Sequence, residues 1–273
     1  MIALYQYFGY KEVPIRERFG LIKAAGFDAV GLWRDDWLGW TGHREYADMA
    51  RVAGLEVIDG HAPFVRDYDI INSLWLDNLD GETTYEIYHK AIKECGEDGV
   101  SNLIVHLADE FDGKRVVALN ETGISRMKRL VETAEKYEVT IALENLDYHN
   151  DLEYVFERVD SPNLGFCYDI GHRNCHEPEV DLLSLYGNKL VALHLHDNDG
   201  SGDQHLLPFG GNIDWQEQMS KIAATGYNGP TTLESVTNSG PGEVLPGGAP
   251  AAEKWLCEAY AAAKRLDAMR EMP

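Results

Sequence analysis

The chain is short of cationic residues, cysteine pairs and long apolar runs, and each shortage excludes something. Its 273 residues carry 24 Lys+Arg against 46 Asp+Glu, a formal net charge of −22. So few cations argue strongly against a duplex nucleic-acid partner, because such binders neutralise many phosphates with Lys and Arg. The same sign disfavours an anionic membrane surface. The four cysteines, Cys95, Cys167, Cys175 and Cys257, form no CxxC pair. That is neither a disulfide framework nor a zinc ribbon, and a reducing cytoplasm is the expected compartment. No run approaches the roughly 18 apolar residues of a membrane span. The opening MIALYQYFGYKEVPIRERFG lacks a basic segment followed by an apolar stretch, so no secretory signal is expected. No GxGxxG follows the first apolar run, which weakens a dinucleotide-binding reading. No Pro/Ser-rich or low-complexity tract divides the chain, so residues 1–273 read as one domain.

What the chain does have is alternation. Short apolar runs read as strands at 2–8, 27–33, 55–61, 101–107, 139–145, 163–169, 189–196 and 229–235. Between them lie helical stretches at 14–25 and 44–54, and the clearest amphipathic ones at 82–98, 121–137, 215–226 and 250–270. Strand–helix alternation implies a parallel sheet with right-handed crossovers. Eight such units favour closure into a (β/α)8 barrel, the expected α/β fold. Residues 62–81, with Phe64, Tyr68, Trp75 and Leu76, form a long connection and a candidate lid. The tract 239–250 reads as a loop near the barrel mouth.

Chemistry in such barrels sits at the C-terminal ends of the strands. From the third run onward nearly every strand ends in an ionisable or metal-capable residue: His61, His106, Glu144, Asp169 with His172, His194 and His196, and Glu234. The seventh loop adds Asp203 and His205. A lone strand-end histidine most often satisfies a backbone group. Several carboxylates and imidazoles meeting at one mouth are different, since they would be costly unless paired or metal-bound. Mixed carboxylate and imidazole donors suit a transition-metal dication better than Ca²⁺. His194 and His196, two apart in a strand, can both face the barrel interior.

At these residues the sequence resembles the xylose-isomerase-like barrel superfamily, which includes ketose 3-epimerases, inosose-processing enzymes and apurinic endonucleases. The matching segments are ALEN (142–145), YDIGH (168–172), HLHDNDG (194–200), DQHLLPFGGNIDW (203–215) and TTLES (231–235). In the ketose-epimerase branch a Glu, an Asp, a His and a second Glu hold one divalent metal. The resemblance therefore implies Glu144, Asp169, His196 and Glu234 as ligands of Mn²⁺, Co²⁺, Mg²⁺ or Zn²⁺, with His194 competing for the strand-seven position. From the residues themselves, two carboxylates on opposite strands can face the two sides of a carbon, so Glu144 and Glu234 are the expected proton-transfer pair, through a metal-stabilised enediolate. His172, His205, His61, His106, His194, Asp203 and Trp33 are then candidate substrate contacts.

The endonuclease branch uses up to three Zn²⁺, and this sequence could supply every position of that set. The net charge opposes its DNA substrate. The segment after Glu144, NLDYHND, departs from both branches: it lacks the small, Gly-containing follow-on of the endonucleases, and the acidic residue the epimerases carry six positions on is Asn150 here. A metal-dependent lyase or dehydratase on a sugar or inosose would use the same enolate chemistry. The expected partner is a small sugar, and a non-phosphorylated one, because no Lys/Arg cluster or Gly-rich anion nest marks the seventh and eighth loops. Homo-oligomerisation is left open.

Overall fold

A computed structural model describes residues 1–34, 42–63, 72–111, 114–115, 117–237 and 245–271. Eight strands run in chain order: β1 (Ile2–Tyr5), β2 (Ala29–Trp33), β3 (Glu56–His61), β4 (Asn102–Val105), β5 (Thr140–Glu144), β6 (Leu164–Asp169), β7 (Leu190–His194) and β8 (Thr231–Leu233). Every adjacent pair is parallel, and β8 pairs with β1. The ring closes between β7 and β8, where Leu195 N donates to Thr232 O at 3.0 Å and Glu234 N donates to Leu195 O at 3.1 Å. All eight strands fall within the apolar runs that mark them in the sequence.

The helices follow their local signals. α1 (Ile15–Ala25) begins after Pro14 and stops at Gly26, whose φ of 113° suits glycine. α2 spans Tyr46–Val52. α3 (Leu79–Glu97) and α4 (Glu121–Lys136) start at Asn78 and Asn120, whose side chains accept from the amides of Gly81 and Gly123. α8 (Trp215–Ala224) is capped in the same way by Asp214, and α9 covers Gly248–Glu271. Three shorter helices, α5 (His149–Phe156), α6 (Ile170–His176) and α7 (Leu182–Tyr186), complete the outer layer. A two-residue antiparallel ribbon pairs Glu110–Phe111 with Lys114–Arg115.

The larger core lies between the strands and the helices, and includes Phe19, Ile22, Tyr88, Leu130, Phe166 and Leu256. A smaller cluster of Ile104, Ala142, Cys167 and Ala192 packs separately. By the two-residue strand period these four share a face with His106, Glu144, Asp169 and His194, so they form an apolar floor one layer below the polar mouth. Cys167 belongs to that floor, and burial pushes its thiol pKa well up.

Part of the candidate lid is anchored. Trp75 is buried, and its indole N–H donates to Leu107 O at 2.6 Å. Arg126 donates to the carbonyls of Leu74 (2.7 Å) and Leu76 (2.6 Å). Phe64 and Tyr68, and residues 238–244 of the late loop, lie outside the described residues.

Candidate active site

Each strand delivers its polar residue at or one step past its C-terminal end. His61, Glu144, Asp169 and His194 are the last residues of β3, β5, β6 and β7, while His106 and Glu234 follow β4 and β8 closely. The pairing register sets Asp169 beside His194 and Glu144 beside Cys167. Asp169 is also the N-cap of α6, accepting from His172 N at 2.7 Å. The cap fixes its carboxylate and turns His172 towards the mouth.

Glu144 is the hub. Its Oε2 lies 2.9 Å from His106 Nε2 and 3.4 Å from His61 Nε2, and its Oε1 lies 2.9 Å from His194 Nδ1 and 3.5 Å from His172 Nδ1. His194 Nδ1 is also 2.9 Å from Glu234 Oε2 and 3.8 Å from Asp169 Oδ2. Glu144, Asp169 and Glu234 are 2%, 0% and 6% exposed, and His194 is 0% exposed. Nearer the surface, Asp203 Oδ2 sits 2.8 Å from His205 Nε2 and 3.5 Å from His172 Nε2. His196 Nε2 is 3.0 Å from Asp169 Oδ2, and its ring stacks on His205 with centroids 3.9 Å apart.

Four sets of donor atoms therefore lie mutually within 4.8 Å: Glu144–Asp169–His194–Glu234, His61–His106–Glu144, Glu144–Cys167–His194 and His172–His196–Asp203–His205. The structure brings together every site residue expected from the sequence except Trp33. That ring stacks on His61 (centroids 4.9 Å, 11° between planes), one step removed from the carboxylates. Of the two strand-seven histidines, His194 enters the set with Glu144, Asp169 and Glu234, while His196 enters the outer set.

Charge is shared unevenly. Burial favours a neutral Glu144, but the charges of His194 and His106 outweigh it and hold its pKa well below the ordinary value. Glu234 is lowered too, with burial again outweighed by His194. Burial opposes a charge on His172, yet Asp169, Asp203 and Glu144 raise its pKa well above the usual value. His205 is raised to about 9 because Asp203 outweighs burial. His61 moves the other way, since burial lowers its pKa more than Glu144 restores it.

Several supporting residues escape a reading of strand ends. Asn145 exchanges two hydrogen bonds with the Asp169 backbone, at 2.8 and 2.9 Å, locking β5 to β6 beside the site. Asp197 accepts from Trp215 Nε1 at 2.8 Å and Phe209 N at 2.9 Å, and so holds the seventh loop in place. Gly171 leaves room for the His196 ring. The available signal was adjacency: Asn145, Asp197 and Gly171 each lie next to a candidate ligand in sequence.

A parallel eight-stranded barrel with carboxylates and imidazoles converging at its C-terminal mouth defines a class, the polar-centred β/α barrel enzymes. The model of the xylose isomerase-like TIM barrel matches residues 19–259. The chain belongs to that family. It is 32% identical over 244 residues to fructoselysine 3-epimerase of Shigella flexneri, covering 84% of this chain and 88% of that one. It is 34% identical over 148 residues to an uncharacterised protein of Sinorhizobium fredii, covering 50% of this chain but only about half, 48%, of that protein's length. Among solved structures, D-psicose 3-epimerase of Clostridium cellulolyticum H10 superposes with a TM-score of 0.77 at 18% identity, over 99% of each chain, which establishes likeness of fold.

Proposed function

We propose that the protein is a sugar epimerase or isomerase in which Glu144 and Glu234 exchange a proton with a carbon beside a carbonyl group, and in which Glu144, Asp169, His194 and Glu234 hold one divalent cation. One observation carries the reading: Glu144 Oε1 and Glu234 Oε2 both lie 2.9 Å from the same nitrogen, His194 Nδ1. Three buried carboxylates around one imidazole offer more lone pairs than protons, and a dication fits that surplus. The mixed oxygen and nitrogen donors suit Mn²⁺, Co²⁺ or Zn²⁺. When bound, such a cation polarises a substrate carbonyl and stabilises charge developing on its oxygen.

The chain's own residues supply the rest. Glu144 and Glu234 come from strands on different sides of the barrel, so one can remove the proton and the other return it. Return to the same carbon from the opposite face gives epimerisation, and return to the neighbouring carbon gives isomerisation. His172, Asp203 and His205 are placed to hold hydroxyl groups at the outer end of the site, where Asp203 and His205 are the more exposed members. Among the described residues, every ion-pair partner of Glu144, Asp169, Asp203 and Glu234 is an imidazole. The lack of Lys or Arg there favours an uncharged sugar end over a phosphate. Similarity to fructoselysine 3-epimerase supports a ketose or ketose derivative as substrate.

The test is ¹H NMR of fructoselysine and free ketoses in D₂O. The expected result is solvent deuterium at one carbon with the wild type, and loss of exchange by at least about 10³-fold in Glu144→Gln and in Glu234→Gln. Near-normal exchange in both variants overturns the two-carboxylate mechanism.

A second reading is favoured by the way the donor sets link. Glu144 is shared between the His61–His106 set and the Asp169–His194–Glu234 set, and His172–His196–Asp203–His205 forms a third. Three cations in that arrangement suit phosphodiester hydrolysis at an abasic site. Elemental analysis separates the two, one metal per chain against three zincs, and cleavage of abasic-site DNA would confirm the latter.

A further inference from the structure

His194 has contacts on both ring nitrogens, and the second one points away from the carboxylates. Its Nε2 lies 3.0 Å from the Tyr5 hydroxyl, with the two rings edge-on at 4.9 Å and 85°. Tyr5 is the last residue of β1, is fully buried, and faces the barrel interior. Its ring occupies space that only a glycine leaves free across the β1–β2 pair, since a Cβ on Gly31 would sit 2.7 Å from Tyr5 Cζ. β2 is also bulged between Val30 and Gly31 in its pairing with β3. The fold thus makes a dedicated place for a phenol beneath the site.

We propose that Tyr5 is a positioning residue: its hydroxyl oxygen accepts the Nε2–H of His194, which fixes the ring so that the Nδ1 lone pair faces Glu144, Asp169 and Glu234 and serves as the nitrogen ligand of the cation. The inference rests on the reading of those four residues as a metal site. A neutral imidazole carries one N–H, and whichever nitrogen bears it decides what the other can do. With the proton on Nε2, Nδ1 keeps its lone pair, which points into the space that Glu144 and Glu234 also face with oxygens 2.9 Å away, where a cation can take all three. With the proton on Nδ1, that nitrogen donates to a carboxylate, cannot bind a cation, and Tyr5 must donate instead. Metal-ligating histidines commonly give their other N–H to a fixed acceptor, and loss of such a partner lowers metal affinity roughly 10–100-fold. The Tyr5 hydroxyl oxygen has lone pairs to offer and lies 3.0 Å from His194 Nε2, within reach of that N–H.

Co²⁺ titration of the full chain, followed by visible absorption and by competition with a chromophoric chelator, tests this with Tyr5→Phe and His194→Ala side by side. The expected result is a 10–100-fold weaker Co²⁺ affinity in Tyr5→Phe with altered d–d bands, and a larger loss in His194→Ala. A change of fold stability alone would not move those bands. If wild type and Tyr5→Phe bind Co²⁺ with equal affinity and the same spectrum, while His194→Ala binds weakly, the Tyr5 role is overturned and the metal site stands. If wild type binds no Co²⁺, or His194→Ala binds like wild type, the metal reading itself fails and the inference falls with it. A second measurement needs no variant: two-bond ¹H–¹⁵N NMR of the Zn²⁺-loaded protein should show His194 protonated at Nε2. Protonation at Nδ1 overturns the proposal.

Discussion

Gly171→Ala adds one methyl group at the second residue of α6 and should damage both stability and turnover. The new Cβ would lie 1.9 Å from His196 Cε1, 2.3 Å from Nδ1 and 2.6 Å from Nε2. Ordinary carbon–carbon contact begins near 3.5 Å, so the imidazole must retreat by roughly 1.5 Å. It has little room to do so, being fully buried, stacked on His205 at 3.9 Å and bonded to Asp169 at 3.0 Å. Overpacking of this kind costs about 1–3 kcal/mol. With an unfolding entropy of ~2.1 cal/mol/K per residue, that is a fall in Tm of roughly 2–5 °C for a chain of this length. A displacement on the order of 1 Å at a site can lower the rate about 10²-fold. The contrast is Gly20→Ala, in the middle of α1, where an added Cβ meets nothing within 4 Å. The same chemical change there should raise stability by ~0.5–1 kcal/mol. Thermal unfolding by circular dichroism and deuterium exchange on the preferred ketose provide the two readouts. A Gly171→Ala protein with Tm within 1 °C of wild type, to take about the scatter of the method, and with unimpaired exchange would refute the steric argument.

Two further outcomes follow from residues around the site. Trp75→Leu removes a buried indole seated against Gly123, where a Cβ would lie 1.9 Å from the ring, and abandons the bond to Leu107 O; urea unfolding should show a loss of about 3–4 kcal/mol, and a loss below ~1 kcal/mol would mean that the 72–78 segment is not anchored there. His205 has a folded pKa of about 9, raised by Asp203 against the pull of burial. Its contribution to stability is therefore complete below the unfolded value of ~6.5 and disappears as pH rises through about 9, a change on the order of 3 kcal/mol. In protein freed of metal by EDTA, His205→Gln should flatten the decline in unfolding free energy between those two pH values; equal slopes in variant and wild type would count against the Asp203–His205 pair.

Much of the barrel was legible because its signals are local. Eight apolar runs with amphipathic intervals require only the periods of 2 and 3.6, and the strands of the structure sit inside those runs. The elements that left no trace are the short ones. α5, α6 and α7 span 8, 7 and 5 residues, too few for a helical period to stand out, and the ribbon strands have two residues each; α2, with 7, was legible because it continues a 3₁₀ turn at His43–Glu45 and the pattern runs over 44–54. Tyr5 was hidden for a different reason: as an aromatic residue ending an apolar run it is indistinguishable from core, and its partner lies 189 positions away. Asp197 was hidden by its type, since an acidic residue beside a glycine-rich loop reads as solvated, whereas this one is fully buried and organises the loop through four backbone and indole N–H groups.

The division of labour between His194 and His196 shows where the strand period stops being informative. Residues two apart share a face only while the chain stays in the strand. β7 ends at His194, and Leu195 then bridges to Leu233 in closing the ring. Asp197 pairs antiparallel with Leu206, so the chain has already turned away into the seventh loop. His194 consequently points down the barrel axis, between Glu144 and Glu234 and above the apolar floor, with Tyr5 at its far nitrogen. His196 lies past the turn, where it meets Asp169 from the side and shares the outer set with His172, Asp203 and His205. The same pairing that closes the barrel therefore separates two histidines with identical sequence credentials into an inner and an outer role. The proton transfer proposed for Glu144 and Glu234 would therefore lean on the inner one, since among the described residues only His194 stands within 3 Å of both carboxylates.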